Sequence, residues 1–249
     1  MIIIKSDDEI EIMREAAKVT ARILRDLKSV IKPGMTTFDV DEYVEAVIRS
    51  NKMIPAFKGY MGFPASTCCS VNEEIVHGIP SKKKVLSEGD IISVDTGTIY
   101  KGYVSDAART YPVGKISEEA ERLIKVTEEA FFEGMKFARV GYRLSDISHA
   151  VQERAEREGY SVIRDYTGHG VGRNMHEDPQ IPNYGKPGRG PRLQKNMVIA
   201  VEPMIAHGKY QTKTLSNGWT AVTQDGKLAA HYENTVVISE GEPELLTLI

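Results

Sequence analysis

Hydrophobic positions in the first fifty residues recur at the spacing of two amphipathic helices. Residues 7–31 place apolar side chains on one face, begin with acidic residues that suit a helix N-terminus, and stop at the KPG of residues 32–34. A second helix is predicted to start at a cap near Thr36 and to continue through Val47. The chain after it changes to a loop and strand pattern.

The two-helix pattern returns in the second half of the chain. Residues 117–139 and 145–158 have helical apolar spacing, and glycines follow both segments. The two halves align at an offset of 107 residues, and the same offset superimposes Asp95 on Glu202 (202 minus 95). Each of these carboxylates ends a strand-like apolar run, 90–95 in one half and 197–202 in the other. Chance similarity is an open alternative for the helices, but it does not explain why two strands share their offset.

This repeat predicts how the whole chain is organised. We expect one catalytic domain, residues 1–249, made of two pseudo-symmetric halves at about 1–112 and 113–249. Helices should cover the outside of a central, curved antiparallel sheet, which is an α/β (α+β) architecture.

Charge and cysteine content limit the partners and the compartment. The formal net charge of -3 gives no electrostatic case for nucleic-acid binding, and the lysine run 82–84 suits a solvated turn. No apolar stretch approaches the roughly 18 residues that span a bilayer, so no membrane role is expected. Cys68 and Cys69 are adjacent and unsuited to pairing with each other. These features predict a cytoplasmic protein.

Two aspartates lie in a predicted β-hairpin. Residues 91–111 indicate two strands with a glycine-containing turn near Lys101. That turn would put Asp95 and Asp106 on or near the same cross-strand pair, with Cβ atoms about 5 Å apart. Two carboxylates that close repel each other unless a proton or a cation lies between them. For this hairpin alone, an aspartate that caps a turn or points outward is an equally good interpretation.

The second half supplies two more carboxylates and the candidate histidines. Glu202 and Glu233 both fall in strand-like sequence, and the turns between them can return the chain to the first hairpin. Four buried negative charges would be prohibitive unpaired, and two divalent cations would neutralise them. His169, in a glycine-rich segment seven positions before His176, is the candidate imidazole ligand. Such a set of oxygen and nitrogen ligands suits cobalt, manganese, iron or zinc.

The remaining histidines are assigned from their local sequence. His77, followed by a glycine, is a third candidate for the cleft. We expect His149, His207 and His231 to be surface or structural residues, since a lone histidine is more often structural than a ligand.

Several segments resemble the signature of type I methionine aminopeptidases, in the order and spacing of that family and over essentially the whole chain. They are NEEIVHGIP at 72–80, VDTG at 94–97, SDAART at 105–110, YTGHGVG at 166–172, His176, IPNY at 181–184, EPM at 202–204 and YENT at 232–235. The resemblance implies the pita-bread fold and removal of the initiator methionine, preferentially before a small second residue. The chain resembles the compact bacterial form, which is expected to be a monomer.

The resemblance also implies roles for individual residues. The metal ligands would be Asp95, Asp106, His169, Glu202 and Glu233, with Asp106 and Glu233 shared by both ions. Glu202 would also exchange the proton of the attacking water, while His176 would stabilise the oxyanion and His77 would face the scissile amide.

A methionine pocket is implied by the same resemblance. It would be lined by Tyr60, Phe63, Cys68, Met175 and Trp219, although each of these residues taken singly also fits ordinary core packing. Met175 stands where many relatives have an aromatic residue, and Phe57 and Phe63 lie near positions that are often Cys and Tyr.

Three alternative functions remain open at this stage. They are a proline-directed peptidase of the same fold, a metal-free creatinase-like hydrolase, and a binding module without chemistry. The expected partners are nascent polypeptide N-termini at the ribosome exit.

Overall fold

In a computed structural model, which describes residues 1–249, four helices form two sequential pairs. They are α1 (Asp7–Val30), α2 (Thr37–Ser50), α3 (Glu118–Met135) and α4 (Leu144–Arg157). Capping boxes at Ser6 and Thr36 satisfy the first backbone N–H groups of α1 and α2. The four predicted helices are confirmed, but α3 ends at Met135 because the next N–H groups bond three residues back and close a turn.

Fifteen strands make up the rest of the regular structure, together with a 3-10 turn at Tyr60–Gly62. The first half contains β1 (Ile54–Pro55), β2 (Thr67–Val71), β3 (Glu74–Val76), β4 (Ile91–Tyr100) and β5 (Tyr103–Pro112). The second half contains β6 (Ser161–Val162), β7 (Gly168–Gly170), β8 (Glu177–Ile181), β9 (Val198–Val201), β10 (Met204–Ala206), β11 (Thr212–Thr214), β12 (Ala221–Thr223), β13 (Ala229–His231), β14 (Asn234–Val237) and β15 (Glu244–Leu245).

The strands form four antiparallel sheets instead of one continuous sheet. One sheet has the order β1-β4-β2 with β5 on β4, and a second has the order β15-β14-β9-β7-β8. Two three-stranded sheets, β13-β10-β6 and β11-β12-β3, complete the set. Since β3 comes from the first half and β12 from the second, the last sheet joins the two halves by backbone hydrogen bonds.

Each helix pair covers one of the two large sheets. Ile23 of α1 and Val44 of α2 belong to the same buried cluster as Ile92 of β4. A corresponding cluster joins α3 and α4 to β9 and β14. This mixed helix and antiparallel-sheet architecture agrees with the predicted α/β class. None of the helices is long and apolar enough to cross a membrane.

Candidate metal centre and substrate cleft

The β4–β5 hairpin places Asp95 and Asp106 diagonally across the two strands. Its turn consists of Lys101 and Gly102, both with positive φ (47° and 81°), as a two-residue hairpin turn requires. Asp95 is therefore paired with Ala108, and Asp106 with Gly97. The two aspartates are thus near the same cross-strand pair, as expected, but offset by two positions, because a turn centre one residue further along the chain moves the pairing by two. The two carboxylates still reach each other diagonally.

The two glutamates lie at breaks between strands. Glu202 follows β9 directly and precedes Pro203, which cannot donate a backbone hydrogen bond to a sheet ladder. Glu233 lies between β13 and β14, and its backbone N–H donates to the carbonyl of Ala108 at 3.0 Å. Because Ala108 is the partner of Asp95, this bond brings Glu233 to the first hairpin.

Thr235, in β14, makes a second connection between the hairpin and the other half. Its Oγ1 accepts from the backbone N–H of Asp106 at 3.0 Å and donates to the backbone carbonyl of Asp106 at 2.8 Å. The bonds place the four carboxylates in one region of the interior, although they come from segments far apart in the chain.

His169 faces this carboxylate group from the middle of β7. Its Nε2 is 3.7 Å from Asp106 Oδ2 and 3.6 Å from Glu202 Oε1. Its Nδ1 lies 2.9 Å from the carbonyl of Gly170, so the ring proton is held there and the Nε2 lone pair is free. The neighbouring glycines are required, since a Cβ on Gly168 or Gly170 would meet backbone oxygens at 2.4 and 2.2 Å.

The carboxylate group is buried and incompletely satisfied. Asp95 Oδ1, Asp106 Oδ1 and Glu233 Oε1 have no hydrogen-bond partner. Burial is the main cause that raises the pKa of Asp106 to about 8 and those of Asp95, Glu202 and Glu233 above the ordinary range. Buried charges persist in proteins when they are paired or bind metal.

Divalent cations fit this set of donors. Ligand atoms of Asp106, His169 and Glu233 all lie within 4.8 Å of one another, and those of Asp95, His231 and Glu233 form a second such group. The unpartnered oxygens of three of these carboxylates are available to a cation.

The sequence left His231 as a surface or structural residue, and the structure buries it beside the carboxylates. Its position at the end of β13 leaves it 2% exposed, and its Nε2 is 3.9 Å from Glu202 Oε2 and 3.8 Å from Glu233 Oε2. Burial lowers its pKa to about 3, so the ring is neutral. The strand pattern alone does not decide this, because a histidine in a short strand can equally face solvent. The position two residues before Glu233 was the available clue, since alternate residues of an extended chain share a side.

His149 and His207 agree with their expected surface or structural roles. His149 donates from Nδ1 to the carbonyl of Gly185, 3.1 Å away, and His207 lies 2.7 Å from Glu119. Both pairs are outside the carboxylate group.

His77 and His176 line the same cleft as the carboxylates. The ring of His176 is 4.3 Å from that of His169, and its Nδ1 is 2.8 Å from the hydroxyl of Tyr60. Burial lowers the pKa of both His77, to about 4, and His176, so both rings are neutral. The bond to Tyr60 leaves His176 Nε2 as the nitrogen available to substrate.

The five predicted pocket residues surround the cleft beside the carboxylates. They are Tyr60, Phe63, Cys68, Met175 and Trp219. Phe63 and Trp219 pack edge to face with ring centroids 5.1 Å apart. Cys68 is the register partner of Asp95, and burial raises the pKa of its thiol well above the usual range. A protonated thiol suits a pocket wall and not a nucleophile.

Further lining residues were not among the predicted pocket residues. They are Phe57, Met61, Val76, Tyr166, Thr167 and Met204. Tyr166 and Thr167 begin the Gly-rich motif of residues 166–172 and could have been found from it, whereas Met61 is 79% exposed in a turn and carries no local signal. The cavity volume of about 210 Å³ suits one side chain and the adjoining peptide group.

Comparison with known proteins gives consistent matches. A model of metallopeptidase family M24 matches residues 11–240. The chain is 60% identical, over 248 residues, to a methionine aminopeptidase of Clostridium acetobutylicum, covering 100% of this chain and 99% of the relative. A crystal structure of methionine aminopeptidase from Thermotoga maritima has a TM-score of 0.98 at 50% identity and full coverage of both chains. The prolidase from Pyrococcus furiosus has a TM-score of 0.80 at 26% identity, but this chain covers only 66% of it. The predicted pita-bread fold is thereby confirmed.

Proposed function

The chain belongs to metallopeptidase family M24, among the methionine aminopeptidases, and we propose that it works with two divalent metal ions held at the buried end of its cleft. The enzyme removes N-terminal methionine. The observation that carries the proposed centre is the group of four carboxylates beside His169, three of which have a buried oxygen without a hydrogen-bond partner.

Five side chains hold the ions in this proposal. They are Asp95, Asp106, His169, Glu202 and Glu233. Asp106 and Glu233 would be the shared ligands, as the family resemblance implies, and Glu233 does belong to both groups of neighbouring ligand atoms. Carboxylate and imidazole ligands admit cobalt, manganese, iron or zinc. When bound, such ions lower the pKa of water and polarise the substrate carbonyl.

Glu202 is the proposed proton carrier of the reaction. Its Oε1 and Oε2 face His169 and His231 respectively, and the carboxylate borders the cleft where the peptide bond would lie. A carboxylate in this position accepts the proton of the attacking water and returns a proton to the leaving amine. One residue therefore serves both proton transfers.

The two cleft histidines take different roles. His176 accepts at Nδ1 from the Tyr60 hydroxyl and donates from Nε2 to the oxygen that becomes negative in the tetrahedral state. His77 has its ring edge against Tyr166 and Trp219, with centroids 5.5 and 6.4 Å away, so it is held beside the pocket. From there it hydrogen-bonds near the scissile amide.

The apolar end of the cleft determines which terminal residue is accepted. Aromatic rings and the sulfur atoms of Cys68 and Met175 make favourable contacts with a thioether. A charged side chain would lose its hydration there without a partner, and a β-branched one would not fit an unbranched slot. The preference for a small second residue comes from the family resemblance.

A peptide series tests this function. We expect kcat/KM for Met-Ala and Met-Ser peptides to exceed that for Met-Ile, Leu-Ala and Ala-Pro peptides of equal length by orders of magnitude. A preference for Ala-Pro would assign a prolidase-like activity to the protein instead. Equal rates on Met-Ile would contradict the proposed preference for a small second residue.

The physiological setting is part of the same proposal. Nascent polypeptides near the ribosome exit are the proposed substrates, and the enzyme is proposed to act as a cytoplasmic monomer. We also propose that residues 1–249 form one catalytic domain of two pseudo-symmetric halves, 1–112 and 113–249. Sedimentation analysis and measurement of binding to ribosomes test the first two points.

A further inference from the structure

His231 has no role in the reaction described above, yet it is one of the most buried polar side chains beside the metal centre. Only 2% of the residue is exposed, and both ring nitrogens lack a hydrogen-bond partner. A buried donor without a partner costs about 1–3 kcal/mol. The ring therefore calls for an acceptor in its surroundings.

The acceptors nearest to His231 are the carboxylates of the centre. Nε2 is 3.8 Å from Glu233 Oε2 and 3.9 Å from Glu202 Oε2. A movement of about 1 Å closes these distances to a normal N–H···O bond. Hydrogen bonds from nitrogen donors to ionised carboxylates are roughly twice as strong as neutral ones.

Comparison with His169 shows which role the ring can take. The two histidines stand at similar distances from carboxylate oxygens. His169 has an acceptor for its far nitrogen, the carbonyl of Gly170, so its proton is on Nδ1 and its Nε2 is free for a metal ion. His231 has no such acceptor at Nδ1, and its proton belongs on Nε2, where the carboxylates are.

We propose that His231 is a positioning residue of the metal centre, which donates its Nε2–H to Glu233 Oε2 and Glu202 Oε2 and thereby fixes the orientation of both carboxylates. This inference rests on the proposed function. Partners of metal ligands typically affect metal affinity or activity by 10- to 100-fold. His231 belongs to this class because it contacts two of the proposed ligands at once.

Two substitutions of His231 distinguish a role as hydrogen-bond donor from a role in packing alone. His231→Leu keeps an apolar side chain of similar size and removes the donor, whereas His231→Gln keeps an N–H at a similar distance from the backbone. In the full chain we expect His231→Leu to weaken Co²⁺ binding about 10- to 100-fold by calorimetry and to lower kcat with little change in KM. His231→Gln should restore most of the affinity and the wild-type Co²⁺ absorption spectrum.

Val236→Ala is the matched control for lost packing. Val236 is fully buried in β14, near the centre but with no polar atom, so this variant should lower the Tm and leave Co²⁺ affinity unchanged. If His231→Leu does not fold, His231→Ala replaces it, and far-UV circular dichroism establishes which variants are folded.

Each outcome decides the proposal. Wild-type Co²⁺ affinity in a folded His231→Leu would leave the residue a packing role only. Equal losses of Co²⁺ affinity in His231→Leu and His231→Gln, with an altered Co²⁺ absorption spectrum in both, would make His231 a metal ligand instead of a hydrogen-bond donor. Failure of the wild-type enzyme to bind Co²⁺ would contradict the proposed metal centre itself, which is a different result.

Discussion

The two ends of the cleft both contain buried side chains but differ in whether those side chains need hydrogen-bond partners. Asp106 at the metal-centre end and Met175 at the apolar end are each 4% exposed. Met175 and its neighbours pack against one another and have little need of a further partner. Asp106 has a buried oxygen without a hydrogen-bond partner, and so do its neighbours Asp95 and Glu233.

This contrast separates two kinds of buried surface. Apolar burial is favourable in itself, at about 25 cal/mol per Å², and supports the fold whether or not substrate is present. Burial of four carboxylates is unfavourable until cations neutralise them. Stability at one end of the cleft should therefore depend on metal and pH, whereas the other end should affect mainly substrate choice.

Removing a shared ligand should have the largest effect. Asp106→Ala or Glu233→Ala is expected to reduce activity to the detection limit and to lower the content of both ions, because each side chain serves both. Peptide hydrolysis and elemental analysis measure the two effects. Asp41→Asn is the matched control, since Asp41 is also buried but accepts three hydrogen bonds from Ser66 and Thr67. Full activity of a chelated, verified metal-free sample would contradict the two-metal centre.

The two neighbouring histidines should respond differently to the same substitution. His176→Ala should lower kcat by roughly 10²-fold or more, since loss of one oxyanion donor costs about 3 kcal/mol, and should keep its metal. His169→Ala should lose metal. Kinetics and metal content of both variants distinguish the roles, and a His176→Ala protein stripped of metal would show that they had been exchanged.

Metal-free protein should become less stable as the pH rises from about 6.5 to about 8. The pKa values of the carboxyl groups are raised in the folded state, to about 8 for Asp106, so the folded protein keeps protons that the unfolded chain has already released. The stability linked to these protons is lost as the pH rises towards 8. Histidine pKa values lowered to about 4 for His77 and His169, and to about 3 for His231, act in the opposite direction. The stability that the neutral histidines contribute is complete above the pKa of an unfolded histidine, about 6.5, and is lost only below that pH.

Calorimetric Tm values in chelator across this pH range measure the effect. Asp106→Asn should weaken the pH dependence, because the amide cannot ionise, and added Mn²⁺ should reverse it. A metal-free Tm that rises from pH 6.5 to 8 would show that the carboxylates are not the dominant titrating groups.

The smallest effect is expected where the two ends of the cleft meet. Tyr60→Phe keeps the apolar wall and removes only the 2.8 Å bond to His176, worth about 1 kcal/mol, so kcat should fall about fivefold with KM nearly unchanged. Tyr210→Phe, at an exposed tyrosine away from the cleft, is the control. A rise in KM alone would assign Tyr60 to the pocket and not to His176.

The fold could be predicted from local patterns where those patterns are unambiguous. Caps at Ser6 and Thr36 and the apolar spacing after them define α1 and α2, because helix formation depends on neighbours within a few residues. The β4–β5 hairpin was also predictable, but its register was not, since the turn centre decides the pairing and the sequence allowed more than one. Division into four sheets was not anticipated, because contacts between the halves, such as those of β3 with β12, join residues far apart in sequence.

The same distinction applies to the candidate site. Residue types and motif spacing pointed to four carboxylates, His169, His176 and His77, because a cluster of acidic residues in apolar strands needs a cation wherever the strands lie. For His231 the sequence did not decide between a surface and a structural role, because its burial also depends on where β13 lies relative to Glu202.

The sequence by itself determined which helices form, that a hairpin joins β4 to β5, and which chemical groups the protein possesses, since these depend on short-range spacing and side-chain identity. Only the tertiary structure decided which of those groups are buried together and which atoms lack a partner. The Glu233 N–H bond to Ala108 and the Thr235 bonds to Asp106 are examples. Each joins residues more than a hundred positions apart, and such contacts are selected by packing of the whole chain, which no local pattern encodes.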